Sequence, residues 1–376
     1  MQLKWIVIIN FAKYSIINVM IKTFNIQNFK NFKQLTIPQF RRINLIVGKN
    51  SVGKSTLLEA LALYLSEGDE YCLKELLIGR GEDIPYGKQT EDNQDMVKER
   101  CLSIFHGWKE DYSEGFCIKL AENQNNPLTI HQVYISDGKT LAIYHQEELD
   151  KTNNRLSVTT KGLMATRTDG EINLIRYDRS QQYMSKAYKR VPYLMVHTID
   201  FETSANASLY DKITLSPLED YIVKALNIIN ADIDRITFVT EETGGKYRIP
   251  VVSLKGSGKR VRLTSLGDGV NRVLTIILSL LNCKDGVLFL DEFETGLHYS
   301  VQKQLWEVIF MLAEQLNVQV FVTTHSSDCL NAFAKVNAEG QGMLIRLEKR
   351  ADGIVPVCYS ENGDISFAAE NSIELR

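Results

Sequence analysis

Apolar positions in this chain fall into three distinct patterns, each predicting a different element. Short, mostly apolar runs stand at Ile43-Asn44-Leu45-Ile46-Val47, Val287-Leu288-Phe289-Leu290 and Val318-Gln319-Val320-Phe321-Val322. Runs this short and continuous predict strands, and the second has the look of a parallel strand buried on both faces. Helical spacing and strong helix formers mark Thr56 to Leu63. The same spacing recurs through Leu274, Ile277, Leu278 and Leu281, and again across the amphipathic segment from Tyr299 to Leu316. Alternation with a period of two marks Phe116 to Leu120, Leu128 to Ile135, Thr140 to Tyr144 and Leu156 to Thr160, which predicts antiparallel strands between Cys101 and about Arg179.

Between these patterns, residues 64 to 100 are acidic and polar, with Gly79, Gly81, Pro85 and Gly87, and read as a helix end plus a mobile loop. An amphipathic helix is expected around Leu218 to Asn230. Strands follow at Ile236 to Thr240 and Tyr247 to Leu254, flanking the turn Thr243-Gly244-Gly245. No heptad run or internal repeat interrupts the middle. The chain is therefore expected to be α/β, with a mixed sheet, an antiparallel β lobe and helical inserts.

The first buried run feeds Gly48-Lys49-Asn50-Ser51-Val52-Gly53-Lys54-Ser55, which fits G-x-x-x-x-G-K-[ST], and Thr56 opens the helix behind it. Glycines at 48 and 53 let successive backbone N–H groups and the helix N-terminus surround a phosphate. Lys54 adds a point charge toward the outer phosphates. Ser55 offers a hydroxyl to Mg²⁺, a cation that takes a few oxygen ligands plus substrate phosphates.

The second buried run ends in Asp291-Glu292, so two carboxylates emerge at the carboxyl end of a strand. Asp291 is the candidate holder of Mg²⁺, through water, and Glu292 the candidate general base toward an attacking water. The third run ends in Thr323-Thr324-His325-Ser326, which puts a side chain of adjustable charge, His325, at the end of a core strand beside the nucleotide. Upstream, Ser265-Leu266-Gly267-Asp268-Gly269-Val270-Asn271-Arg272 opens a helix.

The order phosphate loop, glycine-rich helix start, Asp-Glu strand and histidine strand resembles the ABC-type ATPase heads of the RecF, SMC and OLD proteins. The likeness extends to Asn28-Phe29-Lys30-Asn31-Phe32-Lys33 before the phosphate loop and to Glu294-Thr295-Gly296-Leu297-His298 after the Asp-Glu strand. Head-only, OLD- and RecF-like AAA-family proteins are the nearest match. Their Leu-Tyr-Asp-Lys-Ile, Leu-Gly-Asp-Gly and terminal Ile-Glu-Leu-Arg stretches correspond to Leu209 to Ile213, Leu266 to Gly269 and Ile373 to Arg376. Lys54 and Asp291 are 237 positions apart, the kind of gap such heads show when lobes are inserted between the halves of the nucleotide fold. A long-armed coiled-coil member is excluded by the missing heptads.

The resemblance implies an ATPase using ATP and Mg²⁺, with two heads closing on two nucleotides. Gly267, Asp268 and Gly269 of one head would then meet the nucleotide of the other. The signature departs from Leu-Ser-Gly-Gly: Gly267 stands in the serine's place, and Ser265 lies two positions earlier. Lys30 and Asn31 either touch the nucleotide, as matching positions do in SMC-like heads, or form an exposed strand end. For the loop that couples nucleotide to the inserted lobe, Gln89 and Gln94 are candidates by position, or ordinary residues of a polar segment. The expected division is 1–19 as an extension ahead of a preferred start at Met20, 20–100 and 263–376 as the two halves of the head, 101–190 as a β-rich lobe, and 191–262 as a mixed insert.

At 376 residues the chain exceeds the roughly 250–300 at which a single core stops growing, so at least two lobes are expected. With 44% hydrophobic and 24% charged residues it falls in neither the disordered nor the membrane class. Six scattered cysteines without a C-x-x-C pair read as reduced and buried, in keeping with a cytoplasmic protein. A net charge of −3 does not demand a polyanionic partner. Two basic groups, Lys186, Lys189 and Arg190, and Lys255, Lys259, Arg260 and Arg262, are either solvated surface or a DNA contact. Two function classes stay open: an ATPase acting on DNA in repair, recombination or defence, and an ATP-gated scaffold that holds and releases a separate effector such as a nuclease.

Overall fold

In a computed structural model the described residues are 20–78, 91–111, 117–122, 126–136, 142–143, 158–168, 170–176, 191–197, 203–240, 248–256, 258–337 and 340–370. The expectations for 1–19, Gln89, Lys186, Lys189, Arg190, the turn at 243–245 and the terminal 373–376 stretch fall outside them.

A six-stranded mixed sheet organises the molecule. Its order is Gly353–Tyr359, Gly342–Arg350, Ile43–Val47, Gln319–Thr323, Val287–Leu290, Tyr193–Val196. The last five run parallel, and Gly353–Tyr359 closes one edge as an antiparallel hairpin arm. Alternate side chains of these strands enter two different cores. Leu45, Val47, Leu288, Leu290, Val320 and Val322 join one; Ile46, Val287, Phe289, Phe321, Met343 and Ile345 join the other. Burial on both faces is why these strands read as mostly apolar runs and not as alternation.

The first face is covered by helices Thr203–Ile213, Glu219–Leu226, Asp268–Leu281, Tyr299–Gln315, Ser327–Val336 and Asn362–Glu370. The second face carries the helix Lys54–Leu65 that follows the glycine loop, and beyond it an antiparallel sheet of seven strands. Three of the four alternating runs form strands, Cys117–Ala121, Leu128–Ser136 and Val158–Arg167, the last two longer than their patterning, and Gly170–Arg176 adds another. The run at Thr140 to Tyr144 contributes only Ala142–Ile143. This sheet is not built from the middle segment alone. The hairpin Phe24–Phe29 and Phe32–Ile37 forms its other end, since Phe24–Phe29 pairs with Cys117–Ala121.

The segment read as a helix end and a loop contains two further helices, Glu70–Ile78 and Glu91–Leu102, so that expectation is corrected. Cys72, Leu73, Leu76 and Leu77 bury one face of the first, and the Asp69 carboxylate accepts from the Tyr71 and Cys72 N–H groups at its start. The density of charge around this short apolar face hid it from a periodicity reading. Gln94 lies on the second helix. Five cysteines are buried as expected, while Cys358 is half-buried. A small sheet of Ile233–Thr240, Arg248–Leu254 and Arg260–Arg262 packs at the start of the Asp268–Leu281 helix. Among the described residues no helix is long and apolar enough to cross a membrane.

Candidate functional site

Four parallel strands deliver their carboxyl ends to one edge of the sheet, where ligand crevices of open α/β folds form. Ile43–Val47 leads into Gly48, Val287–Leu290 into Asp291, Gln319–Thr323 into His325, and Tyr193–Val196 into His197. Because Gln319–Thr323 lies between the first two, its end is shared by both.

The glycine loop is shaped for close approach. Gly48 has φ 144°, and a Cβ there would stand 2.6 Å from the Leu347 carbonyl oxygen. Gly53 has φ 101° and would press a Cβ to 2.7 Å from the Phe32 ring. Ser51 also adopts a positive φ of 61°. Lys54 and Thr56 are buried at the helix start, and Lys54 Nζ donates to the Gly48 and Lys49 carbonyls at 2.8 and 3.1 Å. Burial lowers its ammonium to about 8, opposed by the charges of Asp291, Glu294 and Glu292.

Ser55 Oγ donates to Asp291 Oδ1 at 3.0 Å. Thr323 Oγ1 donates to the same carboxylate oxygen at 2.5 Å while accepting from the Glu292 N–H at 2.9 Å, so one hydroxyl orders both acids. Burial raises the Asp291 carboxyl, and the Thr323 and Ser55 hydrogen bonds and the charge of His197 pull it back. Glu292 takes a positive φ of 47°, sparsely populated for a residue with a side chain. His325 Nδ1 lies 3.3 Å from Lys54 Nζ. Asn31, Asn50, Ser51, Gly53, Lys54, Ser55, Thr56, Glu292 and His325 line one cleft of about 670 Å³.

Not every candidate reaches that cleft. Val52 is buried beneath the loop, and Lys49 contributes its carbonyl to Lys54. Lys30 is neither a lining residue nor an exposed strand end: its ammonium is buried against Glu59 Oε2 at 3.0 Å, tying the two-residue hairpin turn to the Lys54–Leu65 helix. Its neighbour Asn31 does line the cleft and donates to the Ser51 carbonyl at 3.3 Å. Gly267, Asp268 and Gly269 lie off the cleft. The first two are exposed, and a Cβ on Gly269 would come within 2.9 Å of the Gly296 carbonyl, so the helix start packs against the turn after Glu292.

Three residues gain structural parts that the motifs did not assign. The fully buried Arg272 guanidinium donates to the carbonyls of His197, Asp291 and Glu292 at 3.0, 2.8 and 3.1 Å. Glu294 accepts from Thr324 Oγ1 and from the His325 N–H, both at 2.7 Å, which fixes where His325 leaves its strand. Thr323 carries the hydroxyl described above. An arginine inside an otherwise apolar helical stripe was the available signal for the first.

Ser55 and Asp291 present hydroxyl and carboxylate oxygens side by side, the donor chemistry Mg²⁺ takes. Among the described residues no group of three or more His, Cys, Asp or Glu could hold a metal ion.

Parallel sheet, glycine loop and clustered strand ends define a P-loop NTPase head of the ABC and SMC type. A crystallised SMC head bound to the C-winged helix domain of ScpA is similar in fold, with a TM-score of 0.51 at 12% identity, covering 91% of this chain and 99% of that one. The chain belongs to the AAA ATPase domain family, which matches residues 20–193 and 195–330. An ATP/GTP phosphatase of Helicobacter pylori is 24% identical over 383 residues, 94% of this chain and all of that protein. The DNA replication and repair protein RecF of Rickettsia conorii is 21% identical over 365 residues, 84% of this chain and 97% of its own length.

Proposed function

We propose that this head binds MgATP in the glycine-loop cleft, hydrolyses it, and closes as a homodimer around two nucleotides to act on DNA in repair, recombination or defence. The observation that carries the reading is the Ser55–Asp291–Thr323 chain of hydrogen bonds, which joins the glycine loop to the Asp-Glu strand beside a cleft containing Glu292 and His325. The triphosphate would take the backbone N–H groups of residues 48–56, and Lys54 would exchange its two carbonyl acceptors for phosphate oxygens. Glu292 would orient and deprotonate the attacking water, and His325 would meet the outer phosphate. Bound Mg²⁺, held by Ser55 and Asp291, would neutralise developing charge on the phosphates. A larger cleft of about 1230 Å³ shares Asn31 and Ser51 with the first and offers room for base and ribose.

The dimer reading is supported by what the isolated head leaves uncovered. Gly267 and Asp268 are exposed beside the turn containing Gly296, and Tyr299 just beyond it is 63% exposed. Loss of the outer phosphate would remove charge-assisted hydrogen bonds at the centre of that interface and release it. The RecF relative supports a DNA role. The ScpA-bound head supports the second reading, an ATP-gated scaffold for an effector protein.

Light scattering on Glu292→Gln tests the dimer: a stable dimer is expected under saturating MgATP, and a monomer there rejects it. Turnover with and without DNA, paired with a pull-down from the native host, separates the two classes. DNA-stimulated turnover supports the first; a stoichiometric protein partner with DNA-insensitive turnover supports the second.

A further inference from the structure

One basic group picked out in the sequence lies outside the nucleotide cleft, on the small three-stranded sheet. There Ile233–Thr240 pairs antiparallel with Arg248–Leu254, and that strand with Arg260–Arg262. Residues directly opposite one another share a face. Ile236, Val252 and Val261 form one cross-strand row, which turns into the first core together with Phe238. The alternate rows, Arg235–Ser253–Arg260 and Thr237–Val251–Arg262, therefore lie on the outer side. All three arginines are exposed, and only this pairing brings Arg235 to the other two. Arg248, on the inner side, is bonded to Asp211.

We infer that this outer face is a contact surface for the phosphate backbone of DNA. On an ordinary solvated sheet face, cross-strand neighbours gain by pairing opposite charges. Here the two rows combine arginines with hydroxyls and hold no acidic residue. Asp234 stands beside them at the strand irregularity, 3.7 Å from Arg235 Nε, but both side chains are exposed and such a pair is weak. Ser253 Oγ, between Arg235 and Arg260, has no hydrogen-bond partner among the described residues. Guanidinium and hydroxyl donors are the groups that meet phosphate oxygens. Arg235 and Arg260 stand two strands apart, about 9–10 Å, and Arg260 and Arg262 about 7 Å apart along one strand. One DNA strand offers a phosphate every ~3.4 Å of its axis, so the face spans several. With a net charge of −3 the chain has no general attraction for a polyanion, which leaves the attraction to this local face. Arg262 leads into the turn Leu263–Leu266, where Thr264 and Ser265 are exposed, and the turn ends at Gly267, the exposed helix start assigned to the dimer face. DNA held here would lie beside the edge that closes on a second head. This surface deepens the DNA reading of the proposed function and rests on it.

The salt dependence of DNA binding tests this, measured on the full chain with MgATP by fluorescence anisotropy of a labelled duplex between about 50 and 200 mM salt. Arg235→Ala, Arg260→Ala and Arg262→Ala combined should weaken binding on the order of tenfold or more, equally for two unrelated duplex sequences. The slope of log affinity against log salt should flatten by about 2–3. Melting temperature and DNA-free ATP turnover should stay at wild-type values, and Arg260→Lys, which keeps the charge, should keep the slope. Unchanged binding and slope in the combined variant overturn the inference. Displacement of the duplex by polyglutamate at equal charge concentration would assign the face to an acidic protein and overturn it too. If the combined variant melts lower, Arg260→Glu alone decides, and an unchanged slope there rejects the surface. Wild-type binding that survives in the variants leaves the DNA reading standing with its contact elsewhere, whereas a wild-type chain that binds no duplex removes that reading together with this surface.

Discussion

Ser55 Oγ donates to Asp291 Oδ1 across 3.0 Å although 236 positions separate the two residues. One comes from the first turn of the helix after the glycine loop, the other from the far half of the sheet, and nothing local holds them together. Removing the hydroxyl leaves the half-buried Asp291 its Thr323 bond, so the fold should survive. Ser55→Ala is expected to lower magnesium-dependent ATP affinity by roughly tenfold while leaving magnesium-free affinity near wild type. Calorimetry with and without Mg²⁺ checks this, and an equal loss in both conditions would remove Ser55 from the proposed metal site.

Gly53 is constrained by conformation and by space together. Its φ of 101° is costly for any L side chain, and an added methyl would collide with the Phe32 ring, itself fully buried in the second core. Gly53→Ala should destabilise the protein by about 2 kcal/mol or more and abolish ATP binding. Gly353→Ala is a useful contrast: its φ is 128°, but no atom lies within 4 Å of the added methyl. Urea melts of the two variants should show the smaller loss at 353, with ATP binding intact.

The second core ties the nucleotide helix to the antiparallel sheet through Arg167. Its Nε and Nη2 donate to the two Glu67 carboxylate oxygens at 2.7 and 3.0 Å, and the guanidinium lies 4.4 Å from the centre of the Tyr64 ring. Tyr64 lies in the last turn of the Lys54–Leu65 helix, and Glu67 just beyond its end. The pair is mostly buried, so breaking it leaves a carboxylate short of partners. Arg167→Ala should cost about 2–3 kcal/mol, and Arg167→Lys a sizeable part of that because one ammonium cannot form the two-pronged bond. Denaturant unfolding gives both values. A loss below about 0.5 kcal/mol for Arg167→Ala would show the contact to be solvent-screened.

What could be read from the chain depended on whether a signal was local. The glycine loop, the Asp-Glu pair and the strand carrying His325 each declare themselves within a few residues, because a doubly buried strand must be apolar throughout and its end is where chemistry is placed. The parallel order of those strands followed from the helices between them. The partner of Lys30 was not legible: an ion pair with Glu59 spans 29 positions and leaves no period in the sequence. Nor was the pairing of Phe24–Phe29 with Cys117–Ala121, since alternation says which face a residue takes but not which strand lies beside it. Arg272 was missed for a similar reason, since the carbonyls it holds are brought together only by the sheet.

The thiols give a test that needs no nucleotide. Cys72, Cys101, Cys117, Cys283 and Cys329 are buried, and Cys358 alone is half-buried. In the native protein one thiol should therefore react readily with a thiol reagent at pH 8, and six after denaturation. Burial raises Cys72 from 9.0 to about 11, and it raises Cys283 and Cys329 further. Above pH 9 the unfolded chain gives up these protons while the folded chain keeps them, so the folded state binds more protons and stability falls as pH rises. For Cys72 that loss begins near 9 and levels off near 11, and the other two extend it. Lys54 acts in the opposite sense over part of this range: its ammonium is lowered to about 8, so its unfolded form binds more protons above that value. Burial also raises Cys117 and Cys358 and lowers Lys212, so with five raised thiols against two lowered lysines, urea midpoints should drop between pH 9 and 10.5. Cys72→Ala should flatten the slope by up to about 1.4 kcal/mol per pH unit at equal denaturant slope. A slope unchanged by that substitution would mean that Cys72 titrates alike in the folded and unfolded chain, and so is not buried in solution.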